Sequence, residues 1–317
     1  MTVVPASLAV GVDLGATQVR AALFDADGTL LQRAATQTDV AGGPRAVVAQ
    51  IAALVKQVAR DVDRASLAGV GVCSPGPLDS EAGVVLVIPT LPGWVDIPLT
   101  AWLAEALGVP VRLDNDAVTA ALGEWRFGAG RGLSDFVYVT VSTGIGGGVI
   151  AGGRVLRGRR NLAAHLGHMV TSPEGAVCQC GNHGCWEAQA SGTAFGERAR
   201  RLASQVPASA LHALGEALTS QHVIEAARAG DALALDLVAH EAQLLGVGIV
   251  SLLHIFSPQA VVIGGGVSAG FDLLHPGIDR YVQANAMPPF RDVPVVAAAL
   301  GPNSGLFGAA CLVLPAA

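Results

Sequence analysis

Charge is what this sequence has least of. Asp, Glu, Lys and Arg make up only 14% of 317 residues, and the balance is acidic, with 25 acidic side chains against 19 basic ones and a net charge of −6. A basic surface for nucleic acid is not to be expected from such a chain. No Lys or Arg precedes Arg20, so the charged start of a secretory signal is not expected. An unbroken apolar run is also missing. The most apolar stretch, Ala232–Phe256, is interrupted by Asp236, His240, Glu241 and His254, which predicts a buried core helix and not a membrane span. No low-complexity linker separates one half of the chain from the other. Cysteines number five. Cys73 and Cys311 sit in apolar surroundings as reduced thiols do, and the expectation is a cytoplasmic protein.

What the chain has instead is apolar bulk and glycine. Hydrophobic residues reach 51%, enough for a large buried core and incompatible with disorder. The length allows one large or two moderate domains. Forty glycines mark many places where backbone turns or approaches something closely.

The other three cysteines fall within eight positions, in HLGHMVTSPEGAVCQCGNHGCWE (residues 165–187). Clustered thiolates with a nearby imidazole suit tetrahedral Zn2+. The candidate ligands are His168, Cys178, Cys180 and Cys185. Four protein ligands leave no open position, so such a metal is structural. A disulfide loop is the competing explanation, but Gly181 and Gly184 supply the tight turns of a knuckle.

Glycine-containing turns between strands supply the second signal. Leu8–Leu14 and Val19–Phe24 read as strands around a turn carrying Asp13, Gly15, Ala16 and Thr17, with a third strand at Leu30–Thr36. Backbone amides in such a turn can bind phosphate, and a carboxylate at the strand end can hold Mg2+ through water. An ordinary hairpin turn explains the same residues. The pattern recurs. A strand at Phe136–Val141 runs into STGIGGG, with Thr143 and Gly144 in the turn, then strands at Val149–Ala151 and Arg154–Leu156. Two similar meanders suggest an internal duplication, each holding one end of a polyphosphate. A buried strand at Val261–Ile263 ends in Gly264, Gly265 and Gly266, where a flat ring or phosphate can lie against backbone, or where the chain simply turns.

Strand ends carry the third signal. Leu67–Val72 leads into CSPGPLD, whose Pro75-Gly76 forms a rigid loop where α/β ligand sites collect. In PTLPGW, Trp94 either lines a pocket or covers a core edge. The strand Val109–Leu113 ends in Asp114-Asn115-Asp116, which opens a helix at Ala117–Phe127. Capping needs one such side chain and not three, which favours a functional role for Asn115 and Asp116.

Taken together, DLGAT, STGIGGG, GGG at 264–266 and CQCGNHGC with an upstream GH resemble the ROK sugar kinases, and the resemblance covers nearly the whole chain. DNDAVTAALGEWRFGAGRG and GCWEAQASG look most like the family's bacterial glucokinases. The resemblance implies an α/β, two-domain actin/hexokinase-like (ribonuclease H-like) ATPase fold with a structural zinc knuckle. The division it suggests is a small domain at residues 1–115, joined by a closing helix at 304–317, and a large domain at 116–303 with the zinc site. It implies ATP, Mg2+ and structural Zn2+ as cofactors, a sugar and ATP as partners with neither nucleic acid nor membrane, and a homodimer.

The same resemblance assigns roles. Asp116 is the expected general base for a sugar 6-hydroxyl attacking the γ-phosphate. Asn115, His165, His168 and Glu187 are expected at sugar hydroxyls, with Pro75-Gly76 closing over the ring. His168 has two jobs, one ring nitrogen on zinc and the other toward the sugar. Asp13, Gly15, Ala16, Thr17, Thr143, Gly144 and Gly264–Gly266 are expected around ATP and Mg2+.

Departures from the family pattern concentrate on the sugar side. His165 stands where E-x-G-H has glutamate, and a histidine there resembles some bacterial N-acetylmannosamine kinases. Val118 replaces a usual Asn, Thr90 another, and Ala16 a usual Gly. The expected activity is glucokinase-type hexose 6-phosphorylation. The alternative is an N-acylhexosamine such as N-acetylmannosamine. A sugar-responsive ROK regulator is more remote, because Asp13 leaves no room for a preceding helix-turn-helix. A sugar-binding protein with damaged catalysis is disfavoured by Asp116 and both phosphate turns.

Overall fold

The structure, a computed structural model, describes residues 8–315. The chain divides into two compact units. Unit 1 runs to Gly132 and takes back Val155–Ala163 and the chain from Asn303; unit 2 comprises Leu133–Arg154 and Ala164–Pro302.

Unit 1 begins with the expected meander, β1 (Leu8–Leu14), β2 (Gln18–Phe24) and β3 (Leu30–Gln37). Helix α1 (Gly43–Val58) crosses to β4 (Leu67–Ser74), which lies parallel to β1. Short strands β5 (Leu78–Asp79), β6 (Val84–Val87) and β7 (Val95–Ile97) form a separate sheet. Helix α2 (Leu99–Leu107), β8 (Val111–Asn115) and α3 (Asp116–Phe127) follow. The main sheet has the order β3-β2-β1-β4-β8. Its central strands β1 and β4 are apolar on both faces, as parallel strands buried on both sides are. Trp94 covers this core: it is 2% exposed and packed within it.

Unit 2 repeats the plan. Strands β9 (Phe136–Val141), β10 (Ile145–Ala151) and β11 (Arg154–Val155) form the second meander. Helices α4 (Trp186–Ala190), α5 (Gly192–Ala203), α6 (Ser220–Arg228) and α7 (Ala232–Phe256) come next. Then β12 (Ala260–Gly264), α8 (Phe271–Asn285) and β13 (Val295–Ala297) complete the unit. The order β11-β10-β9-β12-β13 matches that of unit 1, with β9, β12 and β13 parallel. The duplication expected from two meanders therefore extends to the whole sheet. Strand β10 starts four residues earlier than its apolar pattern suggests, because Gly146–Gly148 pair in the ladder without displaying any side-chain alternation. Helix α7 is long and apolar enough to cross a membrane, yet Leu245, Ile249, Leu252 and Leu253 are buried in the unit-2 core, as expected of a core helix.

The chain returns to unit 1 with α9 (Ser304–Cys311). This helix lies so close to its neighbours that side chains are excluded: a methyl at Gly308 would overlap the Thr119 carbonyl, and one at Gly71 the Ala309 carbonyl. Packing of α3 on α9 is why α3 belongs to unit 1. The compact boundary thus lies at Gly132, beyond the expected division after Asn115, and the return of Val155–Ala163 has no linear signal. The closing helix stops at Cys311, short of the expected 304–317 span, and residues 316–317, like 1–7, lie outside the described residues.

Candidate active site and metal centre

Register places the acidic residues of unit 1 side by side. Asp13 on β1 lies opposite Cys73 on β4, and Cys73 opposite Asp114 on β8; one step on, Ser74 lies opposite Asn115. All sit at C-terminal strand ends, where open α/β sheets bind ligands. The Asn115 side chain caps α3 by accepting from the Ala117 N–H at 3.0 Å, and Asp116 Oδ1 accepts from the same N–H at 2.8 Å. Thr119 Oγ1 donates to the Asn115 and Asp116 carbonyls at 3.0 and 2.9 Å. Gly76 lies against Asn115: a Cβ there would stand 3.3 Å from Asn115 Nδ2. Asp116 is exposed, but the surrounding protein costs its carboxyl part of its hydration. Loss of hydration lifts its pKa to about 6, opposed by the Ala117 N–H and aided by the charge of Asp13.

Asp13 is held on both oxygens. Arg20 donates to Oδ2 through Nε at 2.9 Å and also through Nη2, and the Cys73 thiol donates to Oδ1 at 3.1 Å. Burial and the Asp13 charge push the Cys73 thiol well up, so it stays a protonated donor. In the adjoining turn, Gly15 N–H bonds the Gln18 carbonyl at 3.0 Å, Thr38 bonds the Gly15 and Thr17 carbonyls, and Ala16 packs on the unit-1 core. Arg20 is a site residue the sequence reading missed. Its signal is the hairpin itself, which pairs position 13 with position 20 across the turn.

In unit 2 the cysteine stretch closes as a knuckle. Cys178 N–H bonds the Asn182 carbonyl at 2.7 Å, and Gly184 N–H bonds the Ala176 carbonyl at 2.9 Å. Gly181 and Gly184 have φ of 90° and 69°, the turns anticipated for them. One ligand atom each from His168, Cys178, Cys180 and Cys185 lies within 4.8 Å of all the others. Cys180 and Cys185 sulfurs are 3.6 Å apart, and Cys178 Sγ is 3.7 Å from His168 Nδ1. A tetrahedral zinc with Zn–S of about 2.3 Å has sulfur–sulfur edges of about 3.8 Å, so the donor set fits. Without a cation such thiols oppose one another's ionisation: burial and neighbouring thiols push Cys185 up to about 12. A divalent cation reverses that cost. His168 presents Nδ1 to Cys178 Sγ.

The residues of unit 2 expected at the sugar share this frame. Trp186, directly after Cys185, is fully buried and donates from Nε1 to the Leu244 carbonyl of α7 at 2.9 Å. Glu187 follows on the first turn of α4 and accepts from the Ile145 N–H at 2.9 Å. Gly144 makes room for that carboxylate, and Gly147 for Leu166, which brings the turn holding His165 and His168 against β10. His165 and His168 ring centroids lie 6.2 Å apart. Partial burial and the nearby His168 lower the His165 pKa, which favours the neutral imidazole.

A cavity of 330 Å³ lies within unit 2, lined by Ser142, Thr143, Gly192, Thr193, Gly196, Arg200, Thr219, Ser220, Gly266 and Val267. Its volume and mixed hydroxyl and glycine lining suit a nucleoside-sized ligand. Thr143 and Gly266, expected at one nucleotide, do meet there. Gly264 and Gly265 do not line it; they face Tyr138 and the Val141 backbone instead. The contributions of α5 and α6 went unread. Only the Ser191 cap, which accepts from the Ala194 N–H at 3.2 Å, marked the start of α5.

Comparison with known proteins places this arrangement. The ROK family profile matches residues 9–316. The chain belongs to the ROK family. A ROK glucokinase from Streptomyces griseus, solved in complex with glucose and AMPPNP, superposes with a TM-score of 0.84 at 35% identity, covering 97% of this chain and 99% of that one. A glucokinase of Thermotoga maritima is 38% identical over 308 residues, 96% of each chain. An N-acetylmannosamine kinase of Escherichia fergusonii is 32% identical over 95% of this chain and 96% of its own length. This ROK protein therefore has the two-domain α/β sugar kinase fold and is a sugar phosphotransferase.

Proposed function

We propose that this ROK enzyme transfers the γ-phosphoryl group of ATP to the 6-hydroxyl of a hexose, glucose foremost, with Asp116 as general base. The observation that carries the reading is the Asp116 carboxyl at the β8–α3 junction, with a pKa raised to about 6. A base poised just below neutral pH is ionised and still a competent proton acceptor. Asn115, His168 and Glu187 orient the sugar, with Pro75-Gly76 beside Asn115. The unit-2 cavity takes the nucleoside, and the turns at Gly15–Thr17 and Thr143-Gly144 take its phosphates. Mg2+ would be held through water by Asp13 and would neutralise phosphate charge. Zinc on His168, Cys178, Cys180 and Cys185 would fix the His168 ring with Nε2 free for a hydroxyl.

His165 favours a second substrate class, N-acylhexosamines. A carboxylate only accepts hydrogen bonds, whereas a neutral imidazole also donates one and can serve an amide carbonyl. The similarity to an N-acetylmannosamine kinase is consistent with that reading. An ATP-coupled assay across glucose, mannose, fructose, N-acetylglucosamine and N-acetylmannosamine, repeated with His165→Glu, separates the two. Glucose as best substrate, with His165→Glu little changed, supports glucokinase. Preference for an acetamido sugar, lost in His165→Glu, supports the alternative. No turnover on any of them refutes both.

A further inference from the structure

The segment Val155–Ala163 leaves the second meander, joins unit 1, and runs straight into Ala164 and His165. Two bonds made by Arg157 define it. Its Nη1 donates to Asp114 Oδ2. Its carbonyl accepts from the Ala163 N–H at 3.1 Å, which closes the intervening loop. Asp114 is buried, 3% exposed at its side chain, and its other oxygen accepts from the Asn115 N–H at 2.9 Å. One residue thus joins the strand end that presents Asn115 and Asp116 to the loop closed at Ala163. The loop between is unusual. Arg160, Asn161 and Ala164 have φ of 57°, 57° and 65°, a region non-glycine residues enter only when surroundings demand it.

We propose that Arg157 is a positioning residue for the sugar site: it holds the Asp114–Asp116 strand end against the loop that closes at Ala163, both within unit 1. This rests on the reading of Asp116 as the base. Arg157 touches no reacting atom in this scheme. A buried carboxylate deprived of its partner destabilises the fold by itself, so a stability effect alone does not distinguish positioning from support. The double variant does. Asp114→Asn keeps an acceptor for the Asn115 N–H and removes the buried charge, so Arg157→Gln/Asp114→Asn has no unpaired ion.

The test is steady-state kinetics and thermal melting of Arg157→Lys, Arg157→Gln and Arg157→Gln/Asp114→Asn, with the sugar and ATP varied separately. The expected result is that the double variant melts closer to the parent than Arg157→Gln does. Its kcat still falls roughly tenfold or more and its sugar KM rises, while its ATP KM stays within about twofold, as for a displaced reacting group. Arg157→Lys, which keeps the charge on a shorter point donor, lies between. Parent kinetics in both the lysine and double variants overturn the proposal. So does recovery of kcat together with stability in the double variant, or an equal loss on the ATP side. Asp116→Ala run in parallel separates the premise: retained turnover there refutes the base assignment whatever Arg157 does.

Discussion

The two units share one sheet order and use its strand ends for opposite chemistry. In unit 1 the ends of β1, β4 and β8 carry Asp13, Cys73 and Asp114, followed by Asn115 and Asp116. In unit 2 the ends of β9 and β12 carry Ser142, Thr143 and a run of glycines. Carboxylates crowded at one edge raise one another's pKa, and Asp13 does this to Asp116. Glycines and hydroxyls present neutral backbone and no repulsion, which is what polyphosphate and a nucleoside need. In the proposed scheme the duplicated scaffold separates proton chemistry from nucleotide binding. Unit 2 adds the knuckle, where in the proposed scheme a metal would orient a histidine as the helix-capping hydrogen bond orients Asp116.

Removing Asp116 is the strongest way to break this comparison. Asp116→Asn is expected to lower kcat by about 10²–10⁴-fold, the usual worth of a general base, with sugar binding retained in calorimetry. In the parent enzyme kcat/KM is expected to fall as pH drops below about 6, where an ordinary aspartate holds out to about 4. The sign for stability is opposite. The native state binds the Asp116 proton more tightly than the unfolded chain does, so its stability declines as pH rises from about 4 to about 6. At pH 7 the parent carries that cost and Asp116→Asn does not, so the variant should melt higher there and equally below pH 4. A lower melting temperature at pH 7 would contradict the desolvation argument.

The knuckle comes next. Elemental analysis should find about one zinc per chain, since four ligands close the site. Of the three clustered cysteines Cys180 is the exposed one, so Cys180→Ser is expected to disturb little besides the metal site. It is expected to lower Tm by roughly 5–10 °C, on a scale of about 2–4 °C per kcal/mol for domains of this size, and to raise sugar KM through a loosened His168. A metal-free enzyme with parent kinetics would remove zinc from the scheme. The smallest effect sharpens the unit-2 half. Gly144→Ala puts a methyl onto Glu187 Oε2 and should break its bond to the Ile145 N–H, raising sugar KM about fivefold, near 1 kcal/mol. An unchanged KM would show that Glu187 does not contact sugar.

Much of the site was readable because its signals are local. The knuckle, both phosphate turns and Asn115-Asp116 each lie within a few consecutive residues, and the amino acids a turn or a ligand set demands are few. Their strands read equally well from short apolar runs. Glycine hid part of β10, since Gly146–Gly148 carry no pattern. Trp94 could not be assigned either, because an aromatic after a turn suits a pocket or a core, and only the packing of Leu91 and Ile88 beside it decides.

From sequence alone this chain determined its duplicated meanders, its acidic strand end and its Cys/His knuckle, because periodicity, glycine turns and cysteine spacing act over a few residues. Tertiary structure decided which distant groups complete them. The Arg20 grip on Asp13 comes from hairpin register. The Arg157–Asp114 pair joins positions 43 apart, and the nucleoside-sized cavity collects α5, α6 and the turn after β12. Such contacts depend on how helices and strands pack, and no local pattern encodes a partner that the chain reaches only after folding.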